Sequence, residues 1–363
     1  MIYVNGRFLT RPMTGVERYA YHVCRALASL QLPFTVICPQ APIQDCYDVS
    51  GLRIIRFGRG NSHFWEQFVL PFFFLGKRRY VLLSFTGLGS ILIPHKVMTI
   101  HDLSFLEHPG WFSKAYYWWY KVMTPLAVRT SRRIITVSDF SKQEILRWYP
   151  FVRQDHICVA PNAADARLFH QLAPRPEPPE RFMLAVASMD PRKNFSRLVE
   201  AFRDITDCRL YIVGDSHPAF RRAAAAVLPP SANIRFLGRV SDEDLVRLYN
   251  EAVGFISPSL YEGFGLPLLE AMCCGCPVLA SDIPASREVC GTAALYFAPR
   301  DAASISQAIV RFLALSDADR QKLQTAGQEN ARRFSWTATA KTIITLVGEK
   351  SPGGTILSPS VTL

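Results

Sequence analysis

The chain has 363 residues, of which 49% are hydrophobic and 20% charged, so it is too apolar for a disordered protein and too long for one ordinary core. No apolar run approaches the roughly 18 to 20 uncharged residues that span a bilayer, and the N-terminal residues lack the apolar core of a signal peptide. We therefore expect a protein that is neither secreted nor integral to a membrane. Nine cysteines, an odd number in a large chain, indicate reduced thiols in a cytoplasm rather than a disulfide framework.

The net charge of +11 is unevenly distributed along the chain. Residues 1–170 hold 20 Lys and Arg against 10 Asp and Glu, a net charge of +10, whereas residues 171–363 hold 21 against 20, a net charge of +1. This asymmetry indicates that the first half faces something anionic, which could be nucleic acid, a membrane surface or a phosphorylated ligand.

Short apolar and β-branched runs alternate with helical patterns along the chain, which predicts parallel sheets with crossover helices. In the first half the predicted strands are 1–5, 34–38, 53–57, 81–85, 97–101, 133–137 and 157–159. In the second half they are 182–187, 210–214, 234–237, 254–257, 277–280 and 294–297. The sequence therefore predicts an α/β protein with two doubly wound, Rossmann-like domains, whose strands end at a shared cleft.

A proline-rich segment separates the two predicted domains. Residues 173–180 contain four prolines, which fit neither a helix interior nor a central strand and favour a stiff, exposed connection. We predict an N-terminal domain over 1–172, a linker over 173–180 and a C-terminal domain over 181–348. Residues 349–363 have turn residues without periodicity, which predicts a loose tail.

The strongest local signal is a glycine-containing loop between the strand 254–257 and a predicted helix. The loop contains Glu262, Gly263, Phe264, Gly265 and Leu266. The backbone N–H groups of its last three residues would lie at a helix N-terminus, which attracts anions. Glu262 and Glu270, which have seven residues between them, would accept hydrogen bonds from hydroxyl groups. A phosphate flanked by two such carboxylates describes a sugar nucleotide better than a dinucleotide; an isolated pair of glutamates would more simply be solvated.

Six further segments accompany this loop in a fixed order: 14–19, 99–105, 135–142, 161–162, 191–194 and 236–238. With the loop, they resemble the retaining glycosyltransferase family four, also called group 1, whose members have the GT-B fold of two Rossmann-like domains facing across a cleft. The resemblance covers nearly the whole chain. The pattern is most similar to bacterial mannosyl- and rhamnosyltransferases of O-antigen and exopolysaccharide assembly, so we expect GDP-mannose as the donor, ahead of UDP-hexoses.

The resemblance implies transfer of a hexose from a nucleoside-diphosphate sugar, without a metal ion or cofactor, with the leaving phosphate helping to deprotonate the acceptor. It places Lys193 on the donor diphosphate, where a cation stabilises the charge that develops as the glycosidic bond breaks. Many members have an arginine six residues earlier, where this chain has Ala187, so either Arg192 supplies a second cation or the enzyme uses one. Glu262 would hold sugar hydroxyls rather than act as a nucleophile.

The first domain supplies further candidates at the predicted cleft. His101 ends an apolar strand, and the resemblance places it near the donor sugar; a lone histidine there would more often have only a structural role. Asp102 would orient His101 or lie near the acceptor, and Ser138 and Asn162 match acceptor-side positions of the family. Gly15 would allow the backbone to approach a diphosphate or acceptor closely. The predicted nucleotide-sugar site comprises Gly15, Arg192, Lys193, Gly238, Glu262, Gly263, Phe264, Gly265, Leu266 and Glu270.

Two aromatic stretches that contain Lys or Arg, 64–79 and 111–121, are predicted either as a membrane-facing surface or as core helices. The expected location is the cytoplasm, peripheral at the inner face of the cytoplasmic membrane. The expected partners are a nucleotide-sugar donor, a lipid-linked oligosaccharide acceptor and an anionic membrane surface, but no nucleic acid. The Cys-x-x-Cys within 273–276 is expected to be structural, because no second pair or nearby histidine completes four zinc ligands.

Two other functions remain open from the residues alone. A non-catalytic basic protein that binds nucleic acid or an acidic glycan would explain the charge but none of the motifs. A glycan phosphorylase has a related two-domain fold, but the chain is short for one and has no recognisable lysine motif for pyridoxal phosphate.

Overall fold

The computed structural model describes residues 1–60, 62–173, 180–188, 190–214 and 233–348. The chain forms two compact units, one made of Met1–Asn162 together with the residues from Ser335 onward, the other of Ala163–Phe334. Each unit is built on one parallel sheet. Most of the predicted linker, and the whole of the predicted tail, lie outside the described residues.

The first unit contains a seven-stranded sheet with the order β3-β2-β1-β4-β5-β6-β7. Its strands are β1 (Ile2–Asn5), β2 (Phe34–Cys38), β3 (Ile54–Arg56), β4 (Val81–Ser84), β5 (Lys96–Ile100), β6 (Ser131–Thr136) and β7 (Ile157–Val159). Every residue of β4 and β5 is buried, as expected for strands that are covered on both faces. The strand order reverses between β1 and β4, and ligands of doubly wound sheets bind at such a switch point, outside the carboxyl ends of the strands.

Except for the last described helix, the described helices of the first unit lie between these strands in the chain. They are α1 (Gly15–Ser29), α2 (Ser62–Phe64), α3 (Leu70–Phe74), α4 (Ser104–Glu107), α5 (Lys114–Arg129) and α6 (Asp139–Trp148). A π-helical segment, Trp65–Val69, joins α2 to α3. Short 3₁₀ turns cover Gly6–Thr10, Pro109–Trp111 and Gln154–His156.

The second unit contains a six-stranded sheet with the order β10-β9-β8-β11-β12-β13, the strand order of a Rossmann fold. Its strands are β8 (Phe182–Val186), β9 (Arg209–Val213), β10 (Ile234–Gly238), β11 (Gly254–Ser257), β12 (Val278–Ser281) and β13 (Ala294–Phe297). Its described helices are α7 (Phe195–Phe202), α8 (Asp242–Glu251), α9 (Leu266–Cys273), α10 (Pro284–Cys290), α11 (Ala302–Leu313) and α12 (Asp317–Ala331). The switch point lies between β8 and β11. The prediction of two Rossmann-like domains is confirmed.

The last described helix, α13 (Trp336–Gly348), belongs to the first unit rather than the second. The Trp336 indole stacks on the His22 imidazole of α1 with ring centroids 5.1 Å apart. Thr339 Oγ1 donates a hydrogen bond of 2.6 Å to the Pro161 carbonyl. The observed division therefore differs from the predicted domains 1–172 and 181–348, because the apolar face of a helix does not reveal which surface it covers.

The stretch 64–79 is amphipathic in the structure, whereas 111–121 has no buried residue and packs against the core only through partly buried rings such as Tyr117 and Tyr120. Trp65, Leu70 and Phe74 are buried in the core of the first unit. The outward-facing large apolar side chains, together with two lysines beside them, form what we call the aromatic–basic surface: Phe64, Phe68, Phe72, Leu75, Trp118, Val122, Lys77 and Lys121. Within the described residues, every helix is too short or too polar to cross a membrane.

Candidate active site

A buried carboxylate lies beside two cationic side chains at the switch point of the second sheet. Lys193 ends the 3₁₀ turn Pro191–Lys193 after β8, and Glu262 lies in the loop after β11. Lys193 Nζ donates to Glu262 Oε1, and Arg192 Nη1 lies 3.7 Å from Glu262 Oε2. Lys193 and Glu262 are each only 8% exposed. Three of the residues predicted for catalysis thus form one cluster.

Hydrogen bonds to backbone carbonyl groups hold the loops of this cluster together. Leu260 N donates to the Arg192 carbonyl at 2.7 Å. Asn194 Nδ2 donates to the carbonyls of Pro258 and Pro299, at 3.0 and 2.7 Å. Asn194 has a φ of 59°, a left-handed conformation that asparagine tolerates better than most residues. Asn194 occurs in the motif 191–194, and its position between a basic pair and a helix is the sequence signal for this positioning role.

The charges of the cluster keep Glu262 ionised. Burial alone would raise the pKa of Glu262, but Lys193 and Arg192 outweigh that effect, so its pKa lies below the usual range of a glutamate. Ser259 Oγ, which the sequence pattern does not point to, donates to Glu262 Oε1 at 2.7 Å. Asp190 Oδ1 lies 3.3 Å from Arg192 Nε. Such fixed cations can neutralise a diphosphate, while the carboxylate can accept hydrogen bonds from hydroxyl groups.

The predicted glycine loop leads into α9. Gly265 directly precedes the first helical residue, Leu266, and has a φ of 100°, a conformation that strains other residues. Gly265 has no side chain that could cap the helix by accepting hydrogen bonds from the N–H groups of its first turn. The Phe264 ring packs edge-on against Phe334, with centroids 5.4 Å apart. Gly263, like its neighbours, is buried.

Glu270 is buried in α9, about one turn from its start, as predicted. Its Oε2 accepts a hydrogen bond of 3.2 Å from Tyr249 Oη of α8. Burial, and then the charge of Glu270, raise the pKa of Tyr249 far above its usual value, so the phenol remains a donor. The sequence pattern does not indicate Tyr249, because only the fold brings α8 and α9 together. Gly238 ends β10, where its carbonyl accepts from Gly214 N at 2.9 Å.

In the first unit, His101 directly follows β5, and its Nε2 lies 2.8 Å from the Phe85 carbonyl. A carbonyl only accepts, so Nε2 carries the ring proton. Burial lowers the pKa of His101, although the Phe85 carbonyl and Asp102 oppose the shift. The imidazole is therefore neutral at pH 7. The Tyr19 ring packs edge-on against it, at 5.1 Å between centroids.

The other first-unit candidates lie at or near the ends of strands. Asp102 Oδ1 accepts from Ser104 N at 3.0 Å and from Ser104 Oγ at 2.6 Å, at the start of α4. Ser138 caps α6 by accepting from the backbone N–H of its third residue. Asn162 is buried after β7. Gly15 is the first residue of α1, and a Cβ there would meet nothing within 4 Å, so the space beside it is open to a ligand.

Models of two sequence families match the chain in tandem. The model for Glycosyltransferase Family 4 matches residues 13–168, and the model for Glycosyl transferases group 1 matches residues 171–333. O-antigen chain mannosyltransferase B of Escherichia coli is 33% identical over 276 residues, which are 69% of this chain and 71% of that protein. The chain is a group 1 glycosyltransferase of family four.

Two further similarities concern this glycosyltransferase. O-antigen chain mannosyltransferase RfbU of Salmonella typhimurium is 30% identical over 230 residues, 62% of this chain and 63% of that protein. The crystal structure of WaaG, a glycosyltransferase involved in lipopolysaccharide biosynthesis, superposes with a TM-score of 0.74 at 16% identity, covering 98% of this chain and 100% of that one. This likeness shows the GT-B fold.

The family membership favours one of the functions that the sequence left open, a glycosyltransferase, over a basic binding protein or a phosphorylase. For the glycosyltransferase, a nucleotide-sugar donor and a glycan acceptor follow from the family. The cysteines within 273–276 are free thiols in the structure. Among the described residues, no three His, Cys, Asp or Glu side chains are grouped so that they could hold a metal ion.

Proposed function

We propose that this glycosyltransferase transfers mannose from GDP-mannose to a lipid-linked saccharide, with retention at the anomeric carbon and without a metal ion or cofactor. The observation that carries the proposal is the cluster of Lys193, Arg192 and Glu262 beside the start of α9. The names of the two O-antigen relatives, both mannosyltransferases, support mannose as the transferred sugar and a saccharide of cell-surface polysaccharide synthesis as the acceptor.

In the proposed reaction the bond between the sugar C1 and the β-phosphate oxygen breaks, and the acceptor oxygen bonds to C1 on the same face of the ring. The acceptor proton passes to the leaving phosphate. Lys193 and Arg192 stabilise the negative charge on that phosphate, which is greater in the transition state than in the bound donor. Glu262, whose carboxylate stays ionised, accepts hydrogen bonds from hydroxyls of the transferred sugar.

The remaining candidates take supporting roles in this proposal. The N–H groups of Phe264, Gly265 and Leu266 bind the diphosphate at the start of α9. Glu270, oriented by Tyr249, accepts hydrogen bonds from the ribose hydroxyls. The neutral His101 binds the donor sugar as a hydrogen-bonding group rather than as a positive charge. The loop glycines Gly263 and Gly238, together with Gly15, let the backbone approach the donor. Asp102, Ser138 and Asn162 belong to the acceptor side.

We also propose that the enzyme works in the cytoplasm, bound reversibly to the inner face of the cytoplasmic membrane. Two features support this location: the net charge of +10 on residues 1–170, and the large exposed side chains of the aromatic–basic surface. Each basic residue near an anionic lipid surface contributes about 1 kcal/mol of binding free energy. A lipid-linked acceptor would be presented at that surface.

Replacement of Lys193 tests the leaving-group assignment. We expect Lys193→Ala to lower turnover by about a hundredfold or more, because a preorganised donor to the developing charge is lost. The measurement is mannose transfer from GDP-mannose to a polyprenyl-diphosphate-linked saccharide. Lys322→Ala is the matched control, because Lys322 is an exposed lysine of α12 whose charge is paired with Asp319 at 3.0 Å. Near-normal turnover in Lys193→Ala would contradict the assignment.

A thermal-shift screen tests the donor. A ligand present at about 100 times its dissociation constant stabilises the folded state by about 2.7 kcal/mol, which corresponds to roughly 5–10 °C for a unit of this size. We expect that shift with GDP-mannose and not with UDP-, ADP- or dTDP-sugars at the same concentration. A shift with a UDP-sugar alone would replace GDP-mannose as the donor.

A further inference from the structure

We infer that a pocket of about 590 Å³ in the first unit binds one pyranose ring of the acceptor saccharide. Six side chains that line the pocket carry the inference: Arg11, Ser62, His63, Tyr116, Trp119 and Tyr120. The inference rests on the proposed function, because it names a subsite for the proposed acceptor. A volume of this size, lined by aromatic rings and a few polar groups, is typical of small-molecule sites.

The pocket is backed by a buried polar network. Glu66, in the π-helical segment Trp65–Val69, is fully buried. Its Oε1 accepts from Asn5 Nδ2 at 2.6 Å, and its Oε2 lies 3.5 Å from Arg7 Nη1 and 3.4 Å from His63 Nδ1. Burial alone would raise the pKa of Glu66, but the Arg7 charge, the His63 contact and the Asn5 hydrogen bond keep its pKa below the usual range. A buried ionised carboxylate is costly unless it is paired in this way.

The network fixes a side chain in the wall of the pocket. Arg7 Nη1 lies 3.0 Å from His63 Nδ1. At the other side of the ring, His63 Nε2 lies 3.2 Å from Tyr120 Oη. The contacts run from Glu66 through Arg7 and His63 to Tyr120. His63 and Tyr120 therefore present defined hydrogen-bonding groups to the pocket.

The same network lies at the switch point of the first sheet. Arg7, which follows β1, donates through Nη2 to the Thr86 carbonyl after β4 at 3.0 Å. The preceding carbonyl, that of Phe85, accepts from the candidate catalytic residue His101 at 2.8 Å. Two consecutive carbonyls thus anchor the pocket network and His101 to one edge of one sheet. Ligands of doubly wound sheets bind at this edge.

Unusual backbone geometry occurs at the rim of the pocket. The π-helical segment begins two residues after His63, and such segments are frequent at functional sites. Ser62 has a φ of 41°, a conformation that strains a residue with a side chain and persists only where the surroundings hold it. Both features distinguish this segment from an ordinary amphipathic helix.

The charge balance favours a neutral ligand over a phosphate. Arg7 is paired with Glu66, and Arg11 Nε lies 3.7 Å from Glu17 Oε1, so each of these cations has an acidic partner. The apolar wall is formed by Trp119 together with the stacked rings of Tyr116 and Tyr120, whose centroids are 4.4 Å apart. A pyranose has apolar C–H faces and a rim of hydroxyls, which match an aromatic wall that is edged by polar groups.

The test is a calorimetric titration of the purified full chain with mannotriose. We expect Trp119→Ala to weaken mannotriose binding at least tenfold and to raise the acceptor KM by a similar factor. Trp148→Ala is the matched control: Trp148 is 38% exposed and Trp119 37%, but Trp148 lies on α6 and does not line the pocket. We expect that control to bind mannotriose within twofold of the wild type.

Three results would overturn the pocket assignment: wild-type affinity for mannotriose in Trp119→Ala, an equal loss in Trp148→Ala, or binding of inorganic pyrophosphate in place of mannotriose. These results are distinguishable from failure of the proposed function. A wild type that binds GDP and transfers mannose, but whose acceptor KM does not respond to Trp119→Ala, overturns the pocket alone. A wild type that neither binds GDP nor transfers a sugar overturns the proposed function.

Discussion

Lys96, the first residue of β5, is a buried cation that the proposed chemistry does not use. It is fully buried, and its Nζ donates to Thr130 Oγ1 at the end of α5, at 2.6 Å. Burial lowers the pKa of Lys96 to about 7, opposed only in part by the charge of Glu66. A lysine in this environment makes the free energy of unfolding depend on pH.

Replacement of Lys96 tests this dependence. An unfolded lysine has a pKa of about 10.4, so between pH 7 and 10 the unfolded chain binds more protons than the folded one and stability rises with pH. Below about pH 7 both states hold the proton, and the cost of burying the charge is fully present. We expect Lys96→Met to be more stable than the wild type at pH 6 and to show a smaller rise up to pH 9, measured by urea denaturation. Lys322→Met, at an exposed site, is the control. If the free energy of unfolding of Lys96→Met ran parallel to that of the wild type across this pH range, the lowered pKa of Lys96 would be contradicted.

At the scale of single residues, the sequence predicts the functional residues that lie in a local motif and misses those whose role depends on a partner far away in the chain. Lys193 and Glu262 lie in separate motifs, yet each follows a strand, so the carboxyl ends of the sheet bring them together. Tyr249 and the buried Glu66 have no such signal. Their roles depend on contacts between segments that are far apart in the chain, which no local pattern contains.

At the scale of elements, the strands were the most predictable part of the fold. Among the described residues, every predicted strand is present, with ends that shift by at most two residues. Strands buried on both faces read as continuous apolar runs, which makes them easy to recognise. The π-helical segment could not be predicted. Gln67 exchanges hydrogen bonds of 2.8 and 3.0 Å with Gly89 O and Ile91 N, and such distant contacts help to set the local winding.

The start of α9 supports a prediction at this scale. We expect Gly265→Ala to lower the free energy of unfolding by about 1–3 kcal/mol, because an alanine Cβ would lie 2.9 Å from Leu268 Cδ1 on a backbone with a φ of 100°. Urea denaturation measures the change. Gly110→Ala is the control, because a Cβ at Gly110 meets nothing within 4 Å. Equal stability of the two variants would contradict the claim that backbone strain at the start of α9 requires a glycine at position 265.

At the scale of the whole molecule, the uneven charge and the aromatic–basic surface coincide in the first 170 residues. Lys121 Nζ lies 4.8 Å from the centroid of the Trp118 ring, and Lys77 Nζ lies 4.4 Å from that of Phe73, so charge and aromatic area are directly adjacent. Basic residues beside exposed aromatic rings are typical of proteins that bind at an anionic lipid interface.

Charge reversal on this surface tests membrane binding. We expect the full chain to bind phosphatidylglycerol-containing vesicles at low salt, and Lys77→Glu with Lys121→Glu to weaken that binding more than tenfold, because each basic residue contributes about 1 kcal/mol. Co-sedimentation measures it. Arg311→Glu with Lys322→Glu makes the same change in net charge on exposed positions of the second unit. An equal loss in both double variants would show an effect of overall charge rather than of this surface.

The return of α13 to the first unit has a consequence for biosynthesis. The helix that packs against α1 is encoded after the entire second unit, so the ribosome must finish residues 163–334 before the first unit can complete its own packing. Domains of most proteins fold in order from the N-terminus. In this chain the N-terminal unit is the last to be completed, and its α1 surface stays uncovered while the second unit is made.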